Sequence, residues 1–191
     1  MKYFIPFLVG AFLLSGCGTM QPTSAGGSGQ GTTVNRSVSV GSRAQIDGKM
    51  EKKAAELASL EQAQVETVKA SNGLKSIKVT FDSGALFDFN KITLKESATG
   101  QLDRLVELTA DMPDTHFSVS VHTDNIGSEK SNITVSSQRA EAVSRYLQSK
   151  GIAKKRLTAV GQAARYPVAS NSTEEGRAKN RRVEIVISAN N

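Results

Sequence analysis

The segment from Thr123 to Ala140, TDNIGSEKSNITVSSQRA, constrains the fold most because it joins three kinds of structure. It follows an alternation of apolar and polar residues typical of a half-buried strand, turns at Gly127 and continues into a helical pattern. An acid, Asp124, and a base, Arg139, lie fifteen positions apart within it. Opposite charges held apart at the two ends of one loop suit a ligand that carries both an ammonium and a carboxylate group.

Six segments of the chain are predicted as strands, and four of them have the two-residue alternation of apolar and polar residues that is typical of half-buried strands. The Asn72-Gly73 pair, which lies between the first two of these segments, is typical of a tight hairpin turn. The predicted strands cover residues 64–70, 74–82, 85–90, 117–122, 156–161 and 182–188.

Two main helices are expected between these strands. The first is predicted over residues 93–111, with Thr93 as its cap and Pro113 just beyond its end. The second is expected to begin at Ser136, as its N-cap, and to end before Gly151. Strands that alternate with helices predict a small α/β (α+β) sandwich, in which a mixed β-sheet is covered by two main helices.

A further helix is expected at residues 46–64, which are rich in Ala, Leu, Glu, Lys and Gln. Its apolar residues fall along one stripe, which fits a helical stalk, a helix lying on the domain, or a short coiled-coil contact between two copies. The stripe comprises Met50, Ala54, Leu57 and Leu60.

A helix that begins at Ser136 would place Arg139 in its first turn. The unpaired N–H groups and the positive dipole end of that turn favour an anion, and a guanidinium can bind a carboxylate through two parallel hydrogen bonds. Asp124 would accept from an ammonium group, while Asn132 and Thr123 add neutral hydrogen-bonding groups. The alternative is that Asp124 and Arg139 pair with each other and only brace the loop.

The first seventeen residues have the build of an export signal, with a Lys followed by an apolar run too short for a permanent bilayer span. The small residues before Cys17 resemble the lipobox of bacterial lipoproteins, in which cleavage leaves an acylated cysteine. We therefore expect a signal peptide at 1–16 and, at 17–45, the acylated Cys17 and a disordered tether. In enterobacteria, an Asp directly after the lipidated Cys would resemble an inner-membrane retention signal. Gly18 at this position therefore favours an anchor in the outer membrane, with the domain in the periplasm.

Five motifs toward the C-terminus carry a resemblance to a known family. They are TFDSGALFDFN, HTDNIGS, NITVSSQRA, GIAKKRL and PVASNSTEEGRAKNRRVEI. In this order they resemble the OmpA-like C-terminal domain, which binds peptidoglycan non-covalently and occurs in peptidoglycan-associated lipoproteins. The resemblance extends from about residue 76 to residue 188. It implies an OmpA-like peptidoglycan-binding domain at 65–191.

The resemblance also implies roles for individual residues. Asp124 and Arg139 match the residues that hold the ammonium and the carboxylate of diaminopimelate in the stem peptide, and Asn90 and Asn132 would line the pocket. The chain departs from the family at Val121 and Ala163, where glycine is usual. Both changes add bulk to backbone that is expected to approach the ligand.

Three kinds of function are weighed. The first is a binding module that links the outer membrane to the cell wall. The second is an enzyme acting on the same polymer, which is disfavoured because Asp124 has no evident acidic partner and Ser136 has no suitably spaced His. The third is a Tol-associated protein or a component of a secretion or motility machine, which would use the same domain and bind an envelope protein partner.

Other features of the sequence argue against further ligands. The basic run that ends at Arg182 has no interleaved aromatic residue for stacking on bases, so we expect no nucleic acid and a solvated loop whose arginines brace carboxylates such as Glu184. Two His residues and one Cys predict neither a metal site nor a cofactor. His122 is expected to brace the loop by hydrogen bonding.

Overall fold

A computed structural model describes residues 40–189. The expected signal peptide, the lipidation site Cys17 and the expected tether up to residue 39 lie outside these residues. The last six residues of the range expected for the tether, 40–45, are helical instead.

The described chain forms one five-stranded mixed sheet. Its strands lie in the order β1-β2-β5-β3-β4, and only β3 and β4 are parallel neighbours. The strands are β1 (Ala63–Lys69), β2 (Lys75–Asp82), β3 (Thr115–His122), β4 (Leu157–Ala163) and β5 (Arg182–Ala189). On β2, β3 and β5, every second side chain faces the core, which is the alternation that predicted these strands. These core residues are Ile77, Val79, Phe81, Phe117, Val119, Val121, Val183, Ile185 and Ile187, each at most 1% exposed.

Five α-helices are described: α1 (Val40–Leu57), α2 (Ser83–Leu86), α3 (Glu96–Leu108), α4 (Glu129–Ser149) and α5 (Glu174–Asn180). The three longest of them, α1, α3 and α4, contribute buried apolar residues to one core together with the sheet. The predicted fold class, a mixed sheet covered by two main helices, is therefore confirmed for α3 and α4. No helix among residues 40–189 is long and apolar enough to cross a membrane.

Helix α1 lies on the domain, which was one of the alternatives open for residues 46–64. It begins six residues earlier and ends seven residues earlier than predicted. Met50 and Leu57 from its apolar stripe are 2% and 0% exposed within the core. Lys53 adds an ion pair to Asp111, with 3.0 Å between Nζ and Oδ1. Because the domain buries this stripe, α1 is neither a free stalk nor a coiled-coil seam.

The strand predicted at residues 85–90 is wrong. Asp82 accepts a hydrogen bond from the Gly84 N–H at 3.3 Å and so caps α2. Phe87 follows α2 and forms a single bridge with Leu94. Phe89, which completed the apparent alternation, is 90% exposed.

Two helix starts also differ from prediction, and one helix was not predicted. The first main helix begins after Lys95 rather than after Thr93. Helix α5 lies in a region predicted as a polar loop, and the Thr173 hydroxyl caps it by accepting from the Gly176 N–H at 3.1 Å. Helix α4 begins at Glu129, seven residues before Ser136, because the Ser128 hydroxyl accepts from the Ser131 N–H at 3.1 Å and caps it there.

The two ends of the sheet carry different parts of the chain. At one end, which we call the site end, β2 and β3 finish and β5 begins, with Asp82 paired to Arg182. The first half of α1 lies near the opposite end, where Asp47 accepts from the Lys75 N–H at 2.7 Å. The eight residues of β2 separate the two ends by roughly 26 Å.

Candidate functional site

The loop that follows β3 is fixed by hydrogen bonds from three directions. The Thr123 N–H donates to the Ala163 carbonyl at 3.0 Å, and the Asp124 carboxylate accepts from the Ile126 N–H at 3.0 Å. The Asn132 amide donates to the carbonyls of Asp124 and Ile126 at 3.3 and 3.1 Å. The Thr123 hydroxyl also donates to the Asp124 carbonyl, at 2.8 Å. Thr123 and Asn132 therefore hold the shape of the loop.

Asp124 is paired with Arg181, not with Arg139. The Nη1 of Arg181 lies 2.7 Å from Asp124 Oδ2, and its Nη2 lies 2.7 Å from Glu174 Oε1. The hydrogen bond to Asp124 raises the pKa of Arg181, and the bond to Glu174 acts in the same direction. Sequence reasoning placed Arg181 in a solvated loop, so its contact with Asp124 was missed. The alternative in which Asp124 and Arg139 brace each other is wrong.

Arg139 does not lie in the first turn of α4. It is the eleventh residue of that helix, so the unpaired N–H groups of the helix start are about two turns away. The helix dipole and the unpaired N–H groups therefore do not act together with Arg139 on one carboxylate. Asn132 and Arg139 are seven residues apart and lie on the same face of the helix.

The Arg139 guanidinium donates three hydrogen bonds, all to uncharged acceptors. Its Nε, Nη1 and Nη2 donate to the Lys91 carbonyl, the Ser83 hydroxyl and the Asp88 carbonyl, at 2.9, 3.1 and 3.2 Å. Its carbon lies 4.9 Å from the centre of the Phe87 ring. Burial lowers the pKa of Arg139. Among the described residues, no carboxylate forms an ion pair with this partly buried cation.

Ser83 connects the two charged residues. Its hydroxyl accepts from Arg139 at 3.1 Å, and its N–H donates to the Arg181 carbonyl at 2.8 Å. Arg181 in turn contacts Asp124. A continuous path of four contacting residues thus joins Asp124 to Arg139 across the site end of the sheet. Asn90 is exposed and has a φ of 55°, between the two residues whose carbonyls accept from Arg139.

Two exposed apolar side chains flank these residues. Phe89 is 90% exposed on the segment that Arg139 holds, and Ile126 is 63% exposed on the loop that contains Asp124. Both loops of the site therefore offer apolar contact next to their polar groups.

A buried polar group lies beside the loop, on the face of the sheet opposite the core. His122 is 4% exposed, and neither of its ring nitrogens has a hydrogen-bond partner in the described chain. The expectation that it braces the loop by hydrogen bonding is therefore wrong, since its Nε2 lies 3.7 Å from Glu184 Oε2. Arg182 does bind Glu184, at 2.7 Å, as expected for an arginine of the basic run. His122 and Arg182 together lower the pKa of Glu184 to about 2.

The two departures from the family pattern have different consequences. The Val121 side chain is 0% exposed in the core, so its bulk does not approach the site. Ala163 has a φ of 49°, a conformation in which glycine is favoured. Its carbonyl accepts a hydrogen bond from the Thr123 N–H, and its own N–H donates to the Ser136 hydroxyl at 3.2 Å. Ala163 thus supports the loop in a strained conformation.

Replacing Ala163 by Gly should raise the free energy of unfolding by about 1 kcal/mol, because glycine adopts this φ without steric strain. The matched control is Ala159→Gly in β4, where φ is not positive, and it should lower the free energy by about 0.5–1 kcal/mol. Urea denaturation measures both changes. A loss of stability in Ala163→Gly equal to that in Ala159→Gly would contradict the assignment of strain.

Replacing Glu184 by Gln should make stability less dependent on pH. The depressed pKa means that ionised Glu184 stabilises the fold above about pH 4.5, and that this contribution is lost as the pH falls toward 2. The full change in pKa corresponds to about 3.4 kcal/mol. Partial exposure of the carboxylate to solvent reduces the expected loss in the variant to about 2 kcal/mol at pH 7. The difference from wild type should shrink between pH 4.5 and 2. Denaturation at several pH values tests this against Glu141→Gln, whose side chain is 61% exposed. A difference that stays constant down to pH 2 would refute it.

Similar sequences occur in proteins of the bacterial envelope. The chain is 44% identical over 111 residues to outer membrane protein A of Bordetella avium, which covers 58% of this chain and 57% of that protein. It is 46% identical over 86 residues to the peptidoglycan-binding protein ArfA of Mycobacterium tuberculosis, covering 45% and 26%. It is 34% identical over 113 residues to the probable lipoprotein YiaD of Escherichia coli, covering 59% and 52%. The chain thus spans between about a quarter and three fifths of the length of these relatives.

Solved structures share the fold. A putative MotB-like protein of Desulfovibrio vulgaris aligns with a TM-score of 0.66 at 24% identity, over 78% of this chain and 99% of that one. The cell wall anchor of the type VI secretion system of Pseudomonas aeruginosa gives 0.61 at 27%, over 74% and 97%. The peptidoglycan-associated lipoprotein of Burkholderia pseudomallei gives 0.50 at 28%, over 55% and 88%.

A family model matches half of the chain. It covers residues 86–181, which include α3, β3, α4 and β4 together with both loops of the site. The fold, the sequence relatives and the structural neighbours agree with this match. The chain belongs to the OmpA family.

Proposed function

We propose that this chain binds peptidoglycan non-covalently, by holding the amino acid head of diaminopimelate in the stem peptide. The observation that carries the proposal is Arg139, a partly buried cation with no carboxylate partner in the described chain. A ligand carboxylate would supply the missing charge. The 46% identity to a peptidoglycan-binding protein supports the same conclusion.

The hydrogen bonds of Arg139 leave room for one carboxylate. A guanidinium has five N–H donors, and three of them are used by Lys91, Ser83 and Asp88. The two that remain are one on Nη1 and one on Nη2, and a carboxylate at the end of the guanidinium can accept one hydrogen bond from each of these nitrogens. Because the other three bonds fix the guanidinium, little conformational entropy is lost when the ligand binds.

Asp124 is suited to the ammonium group of the same head. Its two carboxylate oxygens can accept about four hydrogen bonds, and two are taken by Ile126 and Arg181. The ammonium would therefore share Asp124 with Arg181 and need not displace it. Thr123 and Asn132 would support binding by fixing the loop that contains Asp124. Asn90 would line the pocket from the segment to which Arg139 donates its hydrogen bonds.

We infer that the other end of the molecule is a lipid anchor in the outer membrane. The lipobox-like sequence at Cys17 supports this, as does the similarity to a probable lipoprotein. The first half of α1 lies at the end of the sheet opposite the proposed site. A tether that leaves from there would let the domain face the wall while its anchor stays in the membrane. The activity we propose is binding, and we assign the chain no enzymatic role.

A second role remains compatible with the same site. The chain is 27% identical to the cell wall anchor of a secretion system, with a TM-score of 0.61. A component of such an envelope machine would use the peptidoglycan site in the same way and bind a protein partner elsewhere on its surface. Loss of wall binding in site variants would be common to both roles. Recovery of a defined envelope partner after crosslinking in cells would favour the second.

Co-sedimentation of the full chain with insoluble peptidoglycan sacculi, in mild detergent, tests the site. Wild type should pellet, whereas Asp124→Asn and Arg139→Gln should stay largely in solution. Each variant removes one partner of a charge-assisted contact, a loss of about 2–5 kcal/mol if the contact is buried on binding. The matched control is Arg145→Gln, an exposed arginine on the same helix, which should pellet like wild type.

Thermal unfolding of each variant shows whether it is folded, since Asp124→Asn also removes the ion pair with Arg181. Unchanged pelleting of both site variants would refute the assignment of the site. Release of soluble wall fragments by the wild type would show that the chain is an enzyme.

A further inference from the structure

A cleft lies next to the loop that contains Asp124. Its volume is about 320 Å³, at the lower end of the range for ligand pockets. One wall is formed by the loop after β3 and the start of α4, and the other by the residues at the end of β4. The lining residues are Asn125, Gly127, Glu129, Asn132, Ala163, Ala164 and Arg165.

The cleft carries one charge of each sign, from opposite walls. Glu129 belongs to the wall at the start of α4, and Arg165 belongs to the wall that follows β4. The two side chains form no ion pair with each other, and neither forms an ion pair or a side-chain hydrogen bond with any other residue between 40 and 189. Both side chains are exposed and therefore accessible to a ligand.

Asn132 joins this cleft to the proposed diaminopimelate site. Its amide nitrogen donates to the carbonyls of Asp124 and Ile126, so it touches the loop that holds the Asp124 carboxylate. Its amide oxygen accepts no hydrogen bond from residues 40–189. A peptide N–H could donate to this oxygen as the ligand passes from one site to the other.

We propose that the cleft binds the part of the wall peptide that adjoins the diaminopimelate, with a peptide carboxylate on Arg165 and a backbone N–H on Asn132. This proposal rests on the proposed function and adds a second point of recognition to it. The chemical class of the ligand is a short acidic peptide, not a free amino acid. Glu129 at the opposite wall disfavours a second carboxylate there and so fixes the direction of the peptide.

Isothermal titration of the full chain with two ligands tests the cleft. The ligands are free diaminopimelate, which fills only the first site, and a soluble stem peptide that contains diaminopimelate. Arg165→Gln should weaken binding of the peptide about tenfold and change the affinity for free diaminopimelate less than twofold. Arg165→Glu should weaken peptide binding further. Arg145→Gln, the matched control, should change neither affinity.

The failure of each proposal gives a different result. If Arg139→Gln weakens both ligands but Arg165→Gln leaves peptide affinity unchanged, the first site stands and the cleft is not used. Equal weakening of both ligands by Arg165→Gln would also overturn the cleft, because the residue would then act on the first site. If Arg139→Gln changes neither affinity, the proposed function fails. Backbone amide shifts of Asn125, Gly127 and Arg165 that appear with the peptide, but not with free diaminopimelate, would support the cleft independently.

Discussion

The three hydrogen bonds of Arg139 organise the site end of the molecule. They reach from the middle of α4 to the segment that follows β2, and they satisfy two carbonyls on either side of Asn90, whose φ is positive. Burying a cation without a counter-ion is unfavourable, and this burial lowers the pKa of Arg139. The guanidinium nevertheless keeps its positive charge. The same side chain therefore stabilises a loop and leaves a positive charge available to a ligand.

The negative charge of Asp124 is treated differently. Asp124 belongs to a row of ion pairs that continues through Arg181 and Glu174 to Arg177, so its charge is already balanced. Of these two charged residues, Arg139 is therefore the one that lacks an ion-pair partner among the residues that the structure describes. We infer that the carboxylate of the ligand contributes more to binding than its ammonium group, which must share Asp124 with Arg181. From the sequence alone, Asp124 and Arg139 were expected to contribute equally to binding a zwitterion.

The sequence predicted what depends on local periodicity and missed what depends on contacts between distant segments. Strands β2, β3 and β5 were predicted because one face of each packs in the core. The start of α4 was missed because its first two turns are largely exposed and carry no apolar stripe, although Ser128 followed by Glu129 is a helix-start signal. The contact of Arg181 with Asp124 joins residues 57 positions apart, which no local pattern indicates. Asp124 and Arg139 were identified as site residues from their residue types and from the family resemblance, and the ligand that they bind is a proposal.

The most direct test of the account compares three stem tetrapeptides by isothermal titration against the full chain. Their third residue is diaminopimelate, 2-aminopimelate or lysine, and its first amino acid head is used in the peptide bonds. The free end of that residue is then a complete amino acid head in diaminopimelate, a carboxylate alone in 2-aminopimelate and an ammonium alone in lysine. If the cation of Arg139 is the main determinant, affinity should fall modestly from the diaminopimelate peptide to the 2-aminopimelate peptide and much more to the lysine peptide. Equal affinity for the lysine peptide and the diaminopimelate peptide would contradict the account, because binding would then not depend on a carboxylate at Arg139.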